Sequence, residues 1–175
     1  MTTNWNTSAL DMPRFIESAA TCHWQTALVN LPRVQALCES DLAVDPDLVC
    51  DWSLVGESRG NGPRAQNWLY LQAKLSLTQR CQRCLEPMAV PLAVDRWFRF
   101  VADEATALAE DDACEEDLLA MSSEFDALNL LEDELLLAVP LIIRHGSCQP
   151  PPSKALGDDL AHPFAALADL KLPKP

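Results

Sequence analysis

Three stretches of this chain alternate apolar and polar residues with a period of two, and that alternation limits the fold more than any other sequence feature. Between Leu48 and Gly56, Leu48, Cys50, Trp52 and Leu54 face one way, with Asp51 and Ser53 opposite. Between Trp68 and Gln79 the apolar set is Leu69, Leu71, Ala73, Leu75 and Leu77, against Gln72, Lys74, Ser76 and Thr78. After Pro87 it is Met88, Val90, Leu92, Val94, Phe98 and Phe100, interrupted only by Arg96. A period of two belongs to strands, whose successive side chains point to opposite faces of a sheet. Gly60-Asn61-Gly62-Pro63 supplies a turn after the first run, and Cys81 to Cys84 separates the second from the third. These runs predict an antiparallel sheet with one dry and one wet face. Pro91 has no N–H to give to a ladder, so it predicts an edge position or a bulge for the third run.

The helical signals lie around these strands. Residues 1–10 read as a frayed terminus. Asp11 stands where an N-cap belongs before a short helix over Pro13–Ala20. Cys22–Val29 reads as a further strand, and Pro32–Glu39 as a second short helix. Ala102–Ala127 is acidic and weakly apolar, which predicts a long loop with one helical turn near Asp117–Met121. Asn129 followed by Glu132 has the spacing of a capping box. It predicts a helix over 129–139 that docks on the sheet through Leu131, Leu135 and Ala138 and ends at Pro140. Leu141–Ile143 is apolar enough for a last short strand. The expected fold is therefore α+β: an antiparallel sheet of about four strands, short N-terminal helices and one packed helix near 129–139. It forms a single domain over residues 1–148, with an acidic loop inserted at 103–127. Residues 149–175 are expected to be a flexible, disordered, proline-rich tail. A short helix over 163–170 would place Phe164, Leu167 and Leu170 at spacing three, as a docking element or a frayed tail helix.

Charge narrows the classes of partner. The formal net charge is −13, and it comes from one segment. Of 26 acidic residues, 13 lie between Asp103 and Glu134, where no Lys or Arg occurs; the other 13 match the 13 basic residues elsewhere. A surface this acidic is poorly suited to a phosphate backbone, which is held by many Lys and Arg contacts. It suits a basic partner, with Asp111, Asp112, Glu115, Glu116, Glu132, Asp133, Glu134 and the tail Phe164 as candidate contacts. Solvation of a loop is the plainer alternative. Glu132, Asp133 and Glu134 also fit the first turn of a helix, where the dipole favours negative charge. No apolar run is long enough to cross a bilayer. The N-terminus lacks a basic stretch followed by an apolar core, so no secretory signal and a cytoplasmic location are expected.

The 7 cysteines are then expected to be reduced thiols. Cys81-Gln82-Arg83-Cys84 can hold two corners of a metal site, and His145 and Cys148 repeat the spacing. The four would make a chemically sensible zinc site if the fold closes the interval of about 60 residues between the pairs. A redox pair is a second reading, although a thioredoxin-like motif sits at a helix N-terminus and a strand-like run follows here. Reduced cysteines packed in a turn are the third. Catalysis finds little support. His23 lies in the expected strand beside Trp24, and His162 in the tail. Consecutive carboxylates on a helix point in different directions. No phosphate-binding glycine loop or nucleophile elbow occurs.

Cys81-Gln82-Arg83-Cys84-Leu85-Glu86-Pro87, followed by Leu131-Glu132-Asp133-Glu134-Leu135-Leu136-Leu137-Ala138-Val139-Pro140, resembles the YceD family of large ribosomal RNA subunit accumulation proteins. The ending from His162 to Lys171 is similar to that family's bacterial C-terminus. The resemblance runs from about Leu10 to the C-terminus, and its specific part is 81–171. It implies a non-enzymatic role in synthesis, processing or stability of the large-subunit (23S) ribosomal RNA. On that basis the acidic segment would engage a basic ribosomal or RNA-processing protein, with direct RNA contact left open. A zinc-dependent or redox-active cysteine protein acting on RNA is the alternative. In some branches of the family the segment after the proline carries further cysteines that resemble zinc ligands; here it offers His145 and Cys148.

Overall fold

The long pair of strands at the centre, β3 (Gln66–Arg80) and β4 (Pro87–Val101), is where the alternation is strongest. It is seen in a computed structural model that describes residues 5–151 apart from 39–40, 43–44, 46 and 63–64. The two strands pair antiparallel in one unbroken register, from Asn67 opposite Phe100 to Arg80 opposite Pro87. β2 (Val49–Arg59) pairs antiparallel with β3, and β1 (Thr21–Ala27) with β2. The order is β1-β2-β3-β4-β5, with β5 (Asp117–Ala120) added parallel to the end of β4. The fold is α+β with a mostly antiparallel sheet, of five strands rather than about four. Pro91 lies opposite Ser76 without a break in register, on the part of β4 that β5 does not reach. Of the two expected placements for this proline, the edge is therefore the one adopted.

One face of the sheet is dry. Cys50, Trp52, Leu54, Leu69, Leu71, Leu75, Leu77, Val90, Leu92, Phe98 and Phe100 are all buried there. Two helices cover them. α1 (Met12–Glu17) is capped by Asp11, whose carboxylate accepts the Arg14 N–H at 3.1 Å, and buries Met12, Phe15 and Ile16. α4 (Ala127–Leu137) buries Leu131 and Leu135. A short α2 (Pro32–Gln35) packs beside α4. Arg96, the charge that interrupts the apolar phase of β4, pairs with Glu134 of α4 at 3.1 Å and with Asp117 of β5.

Several expectations need correction. The segment 102–127 is no long loop. It forms α3 (Glu104–Glu110), capped by the Asp103 carboxylate accepting from Thr106 N at 2.8 Å, then a tight turn at Asp111–Ala113 and β5. Four residues suffice for β5 because its partner β4 is already in place. The N-cap of α4 is Asp126, accepting from Asn129 N at 2.9 Å, and not Asn129. Leu141–Ile143 is not a strand, and Leu141 is 96% exposed. Residues 5–10 are not frayed: Leu10 is fully buried and exchanges backbone hydrogen bonds with Phe125 at 2.8 and 2.9 Å. The expected tail helix over 163–170, with Phe164, lies outside the described residues.

The close approach of α1 to β2 depends on Gly56. A Cβ there would lie 2.9 Å from Phe15 Cδ1 and 3.0 Å from both Ile16 Cα and Phe15 O. Two of these atoms belong to the backbone and cannot swing aside. Gly56→Ala is expected to destabilise the fold by about 1–3 kcal/mol through overpacking. The midpoint of urea denaturation measures it.

Candidate metal centre

The turn between β3 and β4 is built by backbone hydrogen bonds. Leu85 N–H donates to Cys81 O at 2.9 Å, and Cys81 N–H to Glu86 O at 2.9 Å. Leu85 adopts φ 65°, the left-handed region that a branched side chain normally avoids. The turn thus folds Cys81 and Cys84 toward one point. The segment after α4 returns to the same place, where Gln82 N–H donates to Ile143 O at 2.8 Å. That bond, together with Arg83 Nη1 donating to Cys148 O at 3.3 Å, sets His145 and Cys148 against the turn.

The four side chains expected from sequence converge. Their ligand atoms all lie within 4.8 Å of one another. Cys81 Sγ is 3.8 Å from Cys148 Sγ, and Cys84 Sγ is 3.2 Å from His145 Nδ1. In a tetrahedral zinc site with Zn–S of roughly 2.3 Å, two sulfurs stand roughly 3.8 Å apart. The cluster therefore has the size and the donor chemistry of a four-ligand metal site. Cys81 is buried, and the other three are half-buried. Burial pushes the Cys81 thiol up. Backbone N–H groups of Cys84, His145 and Arg83, with the Cys84 side chain, outweigh it and bring the pKa down to about 5. The His145 N–H to Cys81 Sγ distance is 3.4 Å. Donors aimed at a sulfur favour its thiolate, the form that binds metal. Cys148 moves the other way, raised by burial and then by its neighbours Cys81 and Cys84. The Cys-x-x-Cys lies between two strands, not at a helix N-terminus, so the thioredoxin arrangement is not the one built here.

The acidic candidates divide into two groups. Asp111, Asp112, Glu115 and Glu116 are exposed on the turn after α3 and the link to β5. Among the described residues none of them forms an ion pair. Glu132 and Glu134, expected at the surface, are buried and engaged within the chain. Glu132 Oε1 accepts the N–H groups of Arg33 at 2.7 Å and Val34 at 3.2 Å, and so caps α2. Glu134 holds Arg96. Asp133 is the outward member of the three, paired with Arg33 at 2.5 Å. Three consecutive helix positions, about 100° apart, necessarily point three ways. Sequence reasoning passed over Arg33, which joins α2 to α4 through Asn129 and Asp133. It also passed over an aromatic cluster, Trp68, Tyr70 and Trp97. Its signal was present, since all three fall in the polar phase of strands that otherwise alternate cleanly.

A family model described as "Large ribosomal RNA subunit accumulation protein YceD" matches residues 69–171, which contain all four cluster ligands. No solved structure matches the chain.

Glu132 tests the internal use of the acidic run. Glu132→Ala leaves two N–H groups of α2 without an acceptor and is expected to cost about 1–3 kcal/mol. Asp133→Ala removes only a surface pair and should cost no more than about 1 kcal/mol. Paired urea denaturation curves measure the difference.

Proposed function

This chain belongs to the family of large ribosomal RNA subunit accumulation proteins, and we propose that within that role it is a non-enzymatic cytoplasmic binding factor. A structural zinc ion, held by Cys81, Cys84, His145 and Cys148, would secure the turn between β3 and β4. The acidic element from α3 to β5 recruits a basic ribosomal or RNA-processing protein, and large-subunit RNA is sustained through that contact.

The observation that carries the reading is the ligand set. Three thiolates and an imidazole suit zinc rather than a hard cation. Four protein ligands complete a tetrahedron, whereas catalytic zinc sites leave one position for water or substrate. Zinc there would supply positive charge to a group of sulfurs and cross-link two segments that are distant in sequence. The partner half rests on Asp111, Asp112, Glu115 and Glu116, which are exposed and without an ion pair among the described residues. Such a surface attracts basic proteins and speeds their encounter. The same three sulfurs keep a redox reading alive, because Cys81 and Cys148 stand within reach of a disulfide after a small movement.

Elemental analysis of protein purified without a metal-affinity tag decides between these. About one zinc per chain is expected, lost in Cys84→Ser and in Cys148→Ser. A metal-free chain with an intact fold overturns the site. The partner half is tested with purified basic proteins of the large subunit. Binding should weaken steeply from about 0.1 M to about 1 M salt, as the Debye length falls from roughly 10 Å to roughly 3 Å. It should also weaken when Asp111 and Asp112 become Asn and Glu115 and Glu116 become Gln. Binding that is indifferent to both changes rules the acidic element out.

A further inference from the structure

The face of the sheet away from the core carries a feature that the acidic segment and the cysteine cluster do not explain. α1 and α4 both pack on the opposite face, through Phe15, Ile16, Leu131 and Leu135. On the outer face Trp97 and Tyr70 stack with ring centroids 4.7 Å apart and planes at 25°. Trp68 meets Trp97 edge-on at 6.4 Å. Trp97, one of the five tryptophans, is 36% exposed. The guanidinium of Arg59 lies over both indoles, 4.1 Å from the Trp97 centroid and 4.5 Å from that of Trp68. These rings already bind one arginine.

Carboxylates border the rings. Glu57 pairs with Arg59 at 3.0 Å. Asp95 accepts the Tyr70 hydroxyl at 2.6 Å and the Gln72 amide at 3.4 Å. Asp51 accepts from Gln25 at 2.7 Å. Among the described residues Asp95 forms no ion pair and its donors are neutral, whereas Asp51 stands opposite Lys74 in the strand register. Beside the rings, a cavity of about 580 Å³ runs across β1, β2 and β3, with His23, Gln25, Asp51, Ser53, Gln72 and Lys74 in its lining. The sheet register places Ser53, Gln72 and Asp95 in one row, so cavity and rings form a continuous surface.

We propose that this face is the docking site for an arginine-bearing segment of a basic protein, whose guanidinium groups take the place of Arg59 over Trp97 and Trp68 and pair with Glu57 and Asp95. The proposal rests on the reading that the partner is a basic protein, and it names the surface that reads it. Arginine fits better than lysine because its planar, weakly hydrated guanidinium stacks on an aromatic face while donating to a carboxylate in its own plane. A single-stranded nucleic acid could stack on the same rings. Its phosphates would then approach Glu57 and Asp95, with Glu110 of the acidic element at the border of the face, which disfavours it. The acidic element borders this face, since Arg99 of β4 pairs with Glu110 of α3 at 3.0 Å. Exposed acids nearby would steer a basic chain in, and the rings would select arginine from it.

The test is calorimetric titration of the full chain with a short synthetic peptide of alternating arginine and glycine. Trp97→Ala and Asp95→Asn are each expected to weaken binding about tenfold. The matching lysine peptide should bind the unaltered chain more weakly than the arginine peptide. Both substitutions are at exposed positions, and melting curves that match the unaltered chain exclude misfolding. Unchanged arginine-peptide binding in both variants overturns the proposal. So does an oligouridylate that binds the unaltered chain and is lost in Trp97→Ala. If the unaltered chain ignores the arginine peptide but holds a purified basic ribosomal protein, this site falls and the basic-partner reading stands. If it holds neither, both fall.

Discussion

The unbroken register between β3 and β4 is the constraint on which the other parts of this protein depend. From Asn67–Phe100 to Arg80–Pro87 every pair is fixed by its neighbours. A one-residue slip would exchange the two faces. It would bring Leu69 and Leu71 out to water and drive Trp68 and Tyr70 against α1 and α4. The apolar face therefore specifies the aromatic one, although the two share no side chain. The same hairpin presents Cys81 and Cys84 at its turn and offers β4 to both α4 and β5.

Two buried carboxylates complete the packing of the helices on that sheet. Burying a charge is costly unless it is paired and hydrogen-bonded. Glu132 meets the requirement with two backbone N–H groups of α2, and Glu134 with Arg96. Both partners lie far away in sequence, so each carboxylate fixes a tertiary contact as well as filling a local need. Arg96 explains its own place in the apolar phase of β4. It stands at the margin of the core, where α4 and β5 converge and a single guanidinium can serve Glu134 and Asp117 together.

What could be read from the sequence follows from the range of the forces involved. The strands β2, β3 and β4 were legible because burial of one face imposes a period of two on the residues themselves. The Asp11 cap was legible because capping acts within three residues. The cap of α4 was misplaced because Asn129 and Glu132 imitate a capping box, while Asp126 does the capping three residues earlier. The acidic segment reads as a loop for a different reason. β5 is short, half-exposed and parallel to a strand some 19 residues earlier, so its pairing partner rather than its own sequence makes it a strand. The four candidate ligands were named from spacing. Their convergence depends on the hydrogen bond from Gln82 to Ile143, which no local pattern encodes.

The cysteine cluster and the aromatic face lie toward opposite ends of one hairpin. From Tyr70 to Cys81 the chain runs eleven strand residues, roughly 37 Å at the usual rise. An ion held at the turn is far out of contact with Trp97. The connection between them is the register. Leu85 sits at φ 65°, which for a residue with a Cβ costs roughly 1–2 kcal/mol, so the turn needs support from outside itself. That support is the Gln82–Ile143 hydrogen bond and the convergence of His145 and Cys148 on Cys81 and Cys84. A cross-link among those four side chains would close the hairpin at the end where β4 has no neighbour on its outer edge among the described residues. It would thereby resist the slip that would bury the aromatic face. A metal held at this turn would need no open coordination position to matter, because it would act by keeping Trp97 opposite Tyr70.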